Sequence, residues 1–153
     1  MKHLLINIHC PSSNTQKLRD AAVKGASHPD ISDVALRVVE PLSATPEDVL
    51  WADAVLLGTT ENFGYMSGAM KDFFDRVYYP CLELKQGLPY AIGIRAGLDG
   101  TGTRIAMEKI ISGLKWREIQ PPLTSKGDFD SRFISDWEEL GLTIAAGLDA
   151  GIF

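Results

Sequence analysis

Short apolar runs alternate with segments of helical periodicity along this chain, and this alternation most constrains its fold. The apolar runs are predicted as strands and lie at 4–9, 34–39, 54–58, 90–95 and, most weakly, 116–119. The longest helical segment is predicted at about 131–149. Alternation of this kind is typical of an α/β protein whose parallel sheet carries helices on both faces. We therefore predict a single α/β domain over residues 1–153.

The stretch 54–78 combines a predicted strand, a polar loop and an amphipathic helix. Six apolar side chains fall on one helical face, at Met66, Met70, Phe73, Phe74, Val77 and Tyr78. The loop from Thr59 to Gly68 is longer than the roughly two to six residues usual between strand and helix. It contains Phe63 and Tyr65, which would be exposed aromatic residues unless a flat ligand covered them. We therefore predict that this loop binds a ligand at the carboxyl end of its strand.

Two further loops follow predicted strands and have ligand-binding character. The turn Ser12–Thr15 offers hydroxyls, an amide and the free N–H groups of a helix start, which together suit a phosphate monoester. Asn14 or Thr15 is predicted as the N-cap of that helix. The glycines of 96–102 permit close approach of the backbone to a ligand. Because all three loops follow parallel strands, they are predicted to meet at one edge of the sheet.

Composition narrows the class of partner. The formal net charge is −5, from 15 basic and 20 acidic residues, which argues against a basic nucleic-acid-binding face. No apolar run approaches the length of about 18 residues that a membrane helix needs, and no signal peptide is recognised at the N-terminus. The cysteines, Cys10 and Cys81, are predicted to be reduced thiols in a cytoplasmic protein. The three histidines show no metal-binding spacing, so no metal is expected.

The stretch Gly58–Arg76 and the turn 10–15 resemble the flavodoxin-like family of FMN-binding proteins. The similarity is nearest to its branch of small NAD(P)H-dependent oxidoreductases and multimeric flavodoxins. It extends over nearly the whole chain in element order and is specific in these two stretches. It implies a flavodoxin-like doubly wound three-layer sandwich with a five-stranded parallel sheet in the order 2-1-3-4-5. It also implies FMN as cofactor and NAD(P)H as electron donor.

The resemblance assigns the three loops to parts of FMN. The turn 10–15 corresponds to the turn that binds the FMN phosphate in the family, and we call it the phosphate turn. In it, Cys10 stands where the family has a hydroxyl and Ser13 where it has glycine. The implied phosphate contacts are Ser12, Ser13, Asn14 and Thr15. The implied ring contacts are Thr59, Thr60, Glu61, Asn62, Phe63 and Gly64 on one side, and Arg95, Ala96, Gly97, Asp99 and Gly100 on the other. No catalytic side chain is predicted, because the flavin carries the chemistry.

The implied reaction is hydride uptake from NAD(P)H by FMN, followed by delivery of electrons to a quinone or another flavin. Two alternatives stay open: an electron carrier without a nicotinamide substrate, and a flavodoxin-fold module that has lost FMN. Cys10 also resembles the nucleophile of small tyrosine phosphatases, but the arginine which that reaction needs six positions on is Gln16 here. The predicted partners are a small-molecule donor and acceptor. Tyr78, Tyr79 and Pro80 leave self-association open.

Overall fold

A sheet of seven strands lies between two helical layers in the computed structural model, which describes residues 1–153. The strands are β1 (Lys2–Ile8), β2 (Val34–Val38), β3 (Ala54–Asn62), β4 (Tyr65–Met66), β5 (Pro89–Ala96), β6 (Arg117–Glu118) and β7 (Leu123–Lys126). The helices are α1 (Ser13–Ala26), α2 (Pro46–Trp51), α3 (Gly68–Cys81), α4 (Thr101–Leu114) and α5 (Ser131–Asp149). The sheet order is β2-β1-β3-β5-β6, with β4 paired to β3 and β7 paired to β5. The predicted flavodoxin-like α/β fold is therefore confirmed.

The prediction of five strands is wrong, partly because the fifth position in the sheet is divided between two short strands. β6 pairs with the beginning of β5 at Pro89 and Tyr90, and β7 pairs with its end from Gly93 to Ala96. Pro121 and Pro122 lie between the two strands and have no N–H group to give to a ladder. The prolines thus account for the division. They also explain why no strand was predicted where β7 forms.

The predicted long loop after the third strand is a β-hairpin. β3 does not end at Gly58 but continues to Asn62, and it pairs there with the antiparallel β4. The two residues between these strands, Phe63 and Gly64, have φ values of 54° and 71°. Positive φ at both positions is what a two-residue type I′ turn requires. The sequence pattern failed here because the polar continuation of β3 extends beyond the apolar core and has no hydrophobic periodicity.

Two hydrophobic clusters pack on opposite faces of the sheet. Along β1, Leu4 and Ile6 face the layer of α1 and α5, while Leu5 faces the layer of α3 and α4. The helices α1 and α5 approach closely because Gly25 and Gly141 lack side chains. A Cβ at Gly25 would lie 1.9 Å from the carbonyl oxygen of Glu138. This packing fixes the position of α1, and with it the turn that precedes it.

The carboxyl ends of β1, β3, β5 and β7 lie along one edge of the sheet. Ile8 pairs with Gly58, Thr60 with Arg95, and Ala96 with Lys126, so each strand end is beside its neighbour. The three predicted ligand-binding segments emerge from this edge. None of the helices is both long enough and apolar enough to cross a membrane.

Candidate functional site

The turn after β1 is closed by reciprocal hydrogen bonds between Ser12 and Thr15. The N–H of Thr15 donates to Ser12 Oγ at 3.2 Å, and the N–H of Ser12 donates to Thr15 Oγ1 at 2.9 Å. Ser12 is therefore the N-cap of α1, and the prediction of Asn14 or Thr15 is wrong. Ser12 has extended backbone angles, whereas Asn14 and Thr15 already lie in the helix. Thr15 is buried and serves mainly to close the turn.

The start of α1 differs from the other helix starts at this edge. Its N-cap is exposed, its first turn contains no acidic residue, and the amides of Ser13 and Asn14 have no acceptor within the helix. The start of α2 carries acidic side chains, α3 begins at the fully buried Ser67, α4 receives the carboxylate of Glu61, and α5 is capped by Asp130. The carboxylates at α2, α4 and α5 would repel a phosphate, and the buried start of α3 is not accessible to one. The start of α1 is the one that suits it.

Cys10 lies between an acidic and a basic side chain. Its thiol donates to Glu40 Oε1 at 3.2 Å, and Arg19 Nη1 donates to its sulfur at 3.3 Å. Burial, together with the hydrogen bond to Glu40, raises the pKa of Cys10 to about 11. The thiol is therefore neutral at physiological pH, which argues against a phosphatase nucleophile. The sequence did not indicate Arg19 and Glu40, because one lies on α1 and the other follows β2.

The polar side chains at the base of the hairpin hold the hairpin itself. Thr59 Oγ1 donates to the carbonyl of Thr60 at 2.9 Å and accepts the N–H of Ser67 at 3.0 Å. Thr60 Oγ1 donates to Asn62 Oδ1 at 2.9 Å. At the tip, by contrast, Phe63 is fully exposed, with a relative accessibility of 107%. Phe63 and Gly64 are thus the predicted residues of the turn that face solvent.

The hairpin is attached to the loop 97–100 and to the first turn of α4. Glu61 accepts the N–H groups of Leu98 and Gly100 at 2.8 and 2.9 Å. A Cβ at Gly102 would lie 2.1 Å from the carbonyl oxygen of Gly64, so the two backbones are in close contact. The structure therefore brings the two predicted ring-side segments together. The carboxylate of Glu61 is used within the protein.

Arg95 is directed toward the β7–α5 side of this edge. Its Nη1 donates to the carbonyls of Ala96 and Ser125 at 2.9 and 3.0 Å. Its guanidinium carbon lies 5.8 and 5.1 Å from the ring centres of Phe129 and Phe133. The sequence did not reveal these contacts because β7 was not predicted.

The remaining predicted residues occupy the loop after β5. Ala96 and Gly100 are buried, while Gly97 and Asp99 are exposed. Asp99 Oδ1 accepts the N–H of Thr101 at 3.1 Å, and this backbone hydrogen bond lowers the pKa of Asp99. A Cβ at Gly97 would meet no atom within 4 Å, so the space beside this residue is open.

The candidate site is an open surface between loops. The three surface cavities of the structure lie elsewhere, and the largest, of about 360 Å³, is a groove lined by side chains of α3 and α4.

His9, beside the phosphate turn, has its pKa lowered by burial and, to a smaller extent, raised by Glu40. No group of histidine, cysteine or acidic side chains has the geometry to hold a metal ion. The site thus offers hydrogen-bond donors, open glycine surfaces and an aromatic ring.

Comparison with known proteins identifies relatives by sequence and by structure. The family model for NADPH-dependent FMN reductases matches residues 9–123. A flavodoxin of Aquifex aeolicus (strain VF5) is 38% identical over 77 residues, which cover 50% of this chain and 40% of that protein.

Solved structures with a similar fold cover nearly the entire chain. A flavodoxin from the domain Archaea superposes with a TM-score of 0.77 at 19% identity, covering 95% of this chain and 97% of that one. A WrbA-like flavodoxin from Agrobacterium tumefaciens gives a TM-score of 0.72 at 14% identity, covering 95% and 96%. At these identities the two structures establish the fold, and the family match establishes the kinship. The chain belongs to the NADPH-dependent FMN reductase family, with FMN as its cofactor and a flavodoxin-like fold.

Proposed function

We propose that the protein is an NAD(P)H-dependent oxidoreductase that holds FMN across the three loops and passes electrons to a quinone or flavin acceptor. The observation that carries the proposal is the pairing, at one edge of the sheet, of a helix start free of carboxylates with an exposed aromatic hairpin. These features match the two ends of FMN, which are an anionic phosphate and a planar ring.

The start of α1 fits the phosphate. The amides of Ser13 and Asn14 and the side chains of both residues face solvent there. Thr15 Oγ1 donates to the carbonyl of Ser12 at 3.0 Å, so in the 2.9 Å hydrogen bond between the two hydroxyls Ser12 Oγ is the donor and Thr15 Oγ1 the acceptor. The donors offered to a phosphate here are therefore chiefly the amides and side chains of Ser13 and Asn14. The S–H of Cys10 donates to Glu40 and is not available to the phosphate. Cys10 therefore does not supply the hydrogen bond that the family's hydroxyl would give at this position. Neutral donors of this kind suit a phosphate that is bound and not cleaved.

The hairpin and the loop 97–100 fit the ring. Phe63 supplies an exposed aromatic face, and a Cβ at Gly64 or Gly97 would meet no atom within 4 Å. The backbone of each glycine is therefore accessible to a planar ligand. In this arrangement Thr59, Thr60 and Glu61 support the ring contacts by holding the hairpin, and Arg95 supports the β7 side of the edge.

Bound FMN would supply the redox chemistry, namely hydride transfer from NAD(P)H, which would leave as NAD(P)⁺, and transfer of the two electrons to the acceptor. The chain's contribution would be to bind the cofactor and to orient it toward the substrates. No side chain at this edge is assigned as a catalytic acid or base, since Glu61 is hydrogen-bonded to amides and Cys10 is a neutral thiol. We place the activity in the cytoplasm, where the free cysteines would stay reduced.

The second candidate is an electron carrier without a nicotinamide substrate. It is favoured by the flavodoxin of Aquifex aeolicus among the sequence relatives. Steady-state oxidation of NADPH by the FMN-loaded protein, with a quinone or free flavin as acceptor, separates the two functions. The proposal predicts many turnovers per protein molecule, well above the rate with free FMN alone. A rate equal to that of free FMN would contradict the proposal and favour the carrier.

A further inference from the structure

We infer that Glu61 is a positioning residue which joins the hairpin to the start of α4, so that the two ring-side segments behave as one wall. This inference rests on the proposed function. The resemblance to FMN-binding proteins assigns Glu61 as a ring contact. The geometry instead assigns it to the support of the residues that meet the ring.

Each oxygen of the Glu61 carboxylate accepts a hydrogen bond from one backbone amide. Oε1 accepts the N–H of Leu98 at 2.8 Å, and Oε2 accepts the N–H of Gly100 at 2.9 Å. Gly100 is the N-cap of α4, has a φ of 70°, and has no side chain with which to cap the helix. Glu61 thus binds the N-cap amide of α4 from a different element of the fold.

A hydrogen bond in the opposite direction completes the junction. Thr103 is the third residue of α4, the position from which a glutamate in a capping box would bind the N-cap amide. Its hydroxyl is buried and donates instead to the carbonyl of Tyr65 in β4 at 3.0 Å. The hairpin therefore caps α4 through Glu61, and α4 holds the hairpin through Thr103. This crossed pair is the tertiary counterpart of a capping box.

The junction explains how the tip is held in a strained conformation. Phe63 is a bulky residue with positive φ, and the carbonyl of Gly64 packs against the backbone at Gly102. Without Glu61, the loop 97–100 would lose two of its tertiary hydrogen bonds and the tip would lose one of its attachments. The ring contacts would then have to be ordered by the ligand, which weakens its binding.

The direct test is amide hydrogen exchange in the FMN-free protein. In the parent, the amides of Leu98 and Gly100 are expected to be protected, and in Glu61→Ala both should exchange about tenfold faster or more. Glu61→Gln keeps only one acceptor oxygen, so one of the two amides should lose protection. Glu139→Ala is the matched control, because Glu139 is exposed and makes no hydrogen bond or ion pair. Unchanged exchange in Glu61→Ala would overturn the inference.

Ligand titration separates positioning from general damage and from direct contact. Glu61→Ala should bind FMN about tenfold more weakly, while ribose 5-phosphate, which lacks the ring, should bind as it does to the parent. Equal losses for both ligands would mean that the substitution damages the fold. Weaker FMN binding with unchanged amide exchange would mean that Glu61 contacts the ring; either result overturns the inference. If the parent itself binds no FMN, the proposed function fails, while the exchange of the two amides still decides whether the junction exists.

Discussion

At the scale of single residues, Phe63 carries two costs that a purely structural turn would avoid. Its phenyl ring is fully exposed, and its φ of 54° lies in the left-handed region that asparagine and glycine adopt more readily. Both the exposure and the backbone angle are accounted for if the phenyl ring of Phe63 contacts a ligand. Phe63 was predicted as a ligand contact from its aromatic side chain in a long loop and from the resemblance to FMN-binding proteins. The backbone angle that makes it unusual appears only in the structure.

Phe63→Asn should therefore increase the stability of the protein and at the same time weaken its binding of FMN. Relief of the backbone strain is expected to raise the free energy of unfolding by about 1 kcal/mol, measured by urea denaturation. Loss of the aromatic contact should weaken FMN binding in a fluorescence titration. A variant that is less stable than the parent would contradict the backbone strain at Phe63. A variant that binds FMN as tightly as the parent would show that the phenyl ring does not contact FMN.

The phosphate turn is best tested through its amides, because Ser12 and Thr15 also cap α1 and their loss would destabilise the helix. Ser13 is the first residue of α1, where proline is accommodated without disturbing the helix. Ser13→Pro removes one N–H donor and one hydroxyl and should weaken the binding of FMN and ribose 5-phosphate about five- to a hundredfold, at roughly 0.5–1.5 kcal/mol per bond. Ser131→Pro, at the first residue of α5, is the matched control. Equal affinities in the two variants would exclude the start of α1 as the phosphate site.

The raised pKa of the Cys10 thiol predicts how the free energy of unfolding depends on pH. The pKa of Cys10 is raised to about 11 from the ordinary value of 9.0, so the folded protein holds the thiol proton more tightly than the unfolded chain does. The associated stability is present below pH 9 and is lost as the pH rises from 9 to 11. Cys10→Ser should flatten part of this decline in unfolding experiments. Rapid alkylation of Cys10 by iodoacetamide in the folded protein at pH 8 would contradict the assignment of a buried, protonated thiol.

At the scale of elements, the sequence predicted those whose hydrophobic pattern is regular. Helix α5 and the strands β1, β2 and β5 follow apolar patterns, and their predicted ranges agree closely with the structure. β4, β7 and the extension of β3 were missed. These segments are short, polar or beside prolines, and they form because a neighbouring strand or helix offers hydrogen bonds. Tertiary contacts of that kind leave no periodic signal.

The loop 97–100 offers the cleanest steric test of the ring site. Gly97 and Gly68 are both exposed, neither has positive φ, and a Cβ on either would meet no atom within 4 Å. Gly97→Ala and Gly68→Ala should therefore both fold with nearly the stability of the parent. Only Gly97→Ala should weaken FMN binding, because its methyl group projects into the proposed ring site. Gly64→Val is a poorer test, since Gly64 has a φ of 71° and any side chain there strains the turn.

If Gly97→Ala binds FMN as tightly as Gly68→Ala does, the loop 97–100 does not line the ring. The hairpin alone would then form the ring side of the site. A fall in thermal stability of Gly97→Ala would make the affinity uninformative, so melting temperatures are measured for both variants.

At the scale of the whole molecule, the fold positions the site through the ends of its parallel strands. The order β2-β1-β3-β5 places the loop after β1 beside the hairpin after β3, at the point where the direction of winding reverses. The element order in the sequence was sufficient to predict this meeting of loops. It was insufficient to predict which side chains would be used within the protein, because the bonds of Glu61, Thr59 and Arg95 join residues far apart in the chain or in elements that were not predicted.

The proposed function requires that FMN bound at this edge accept electrons from NAD(P)H. The most direct measurement is an anaerobic absorbance titration of the purified, FMN-loaded protein with NADPH and, separately, with NADH. We expect the absorbance of oxidised flavin to bleach as about one equivalent of nicotinamide is added, and to return when a quinone or free flavin is admitted. A flavin spectrum unchanged by an excess of both nicotinamides would contradict the proposed function.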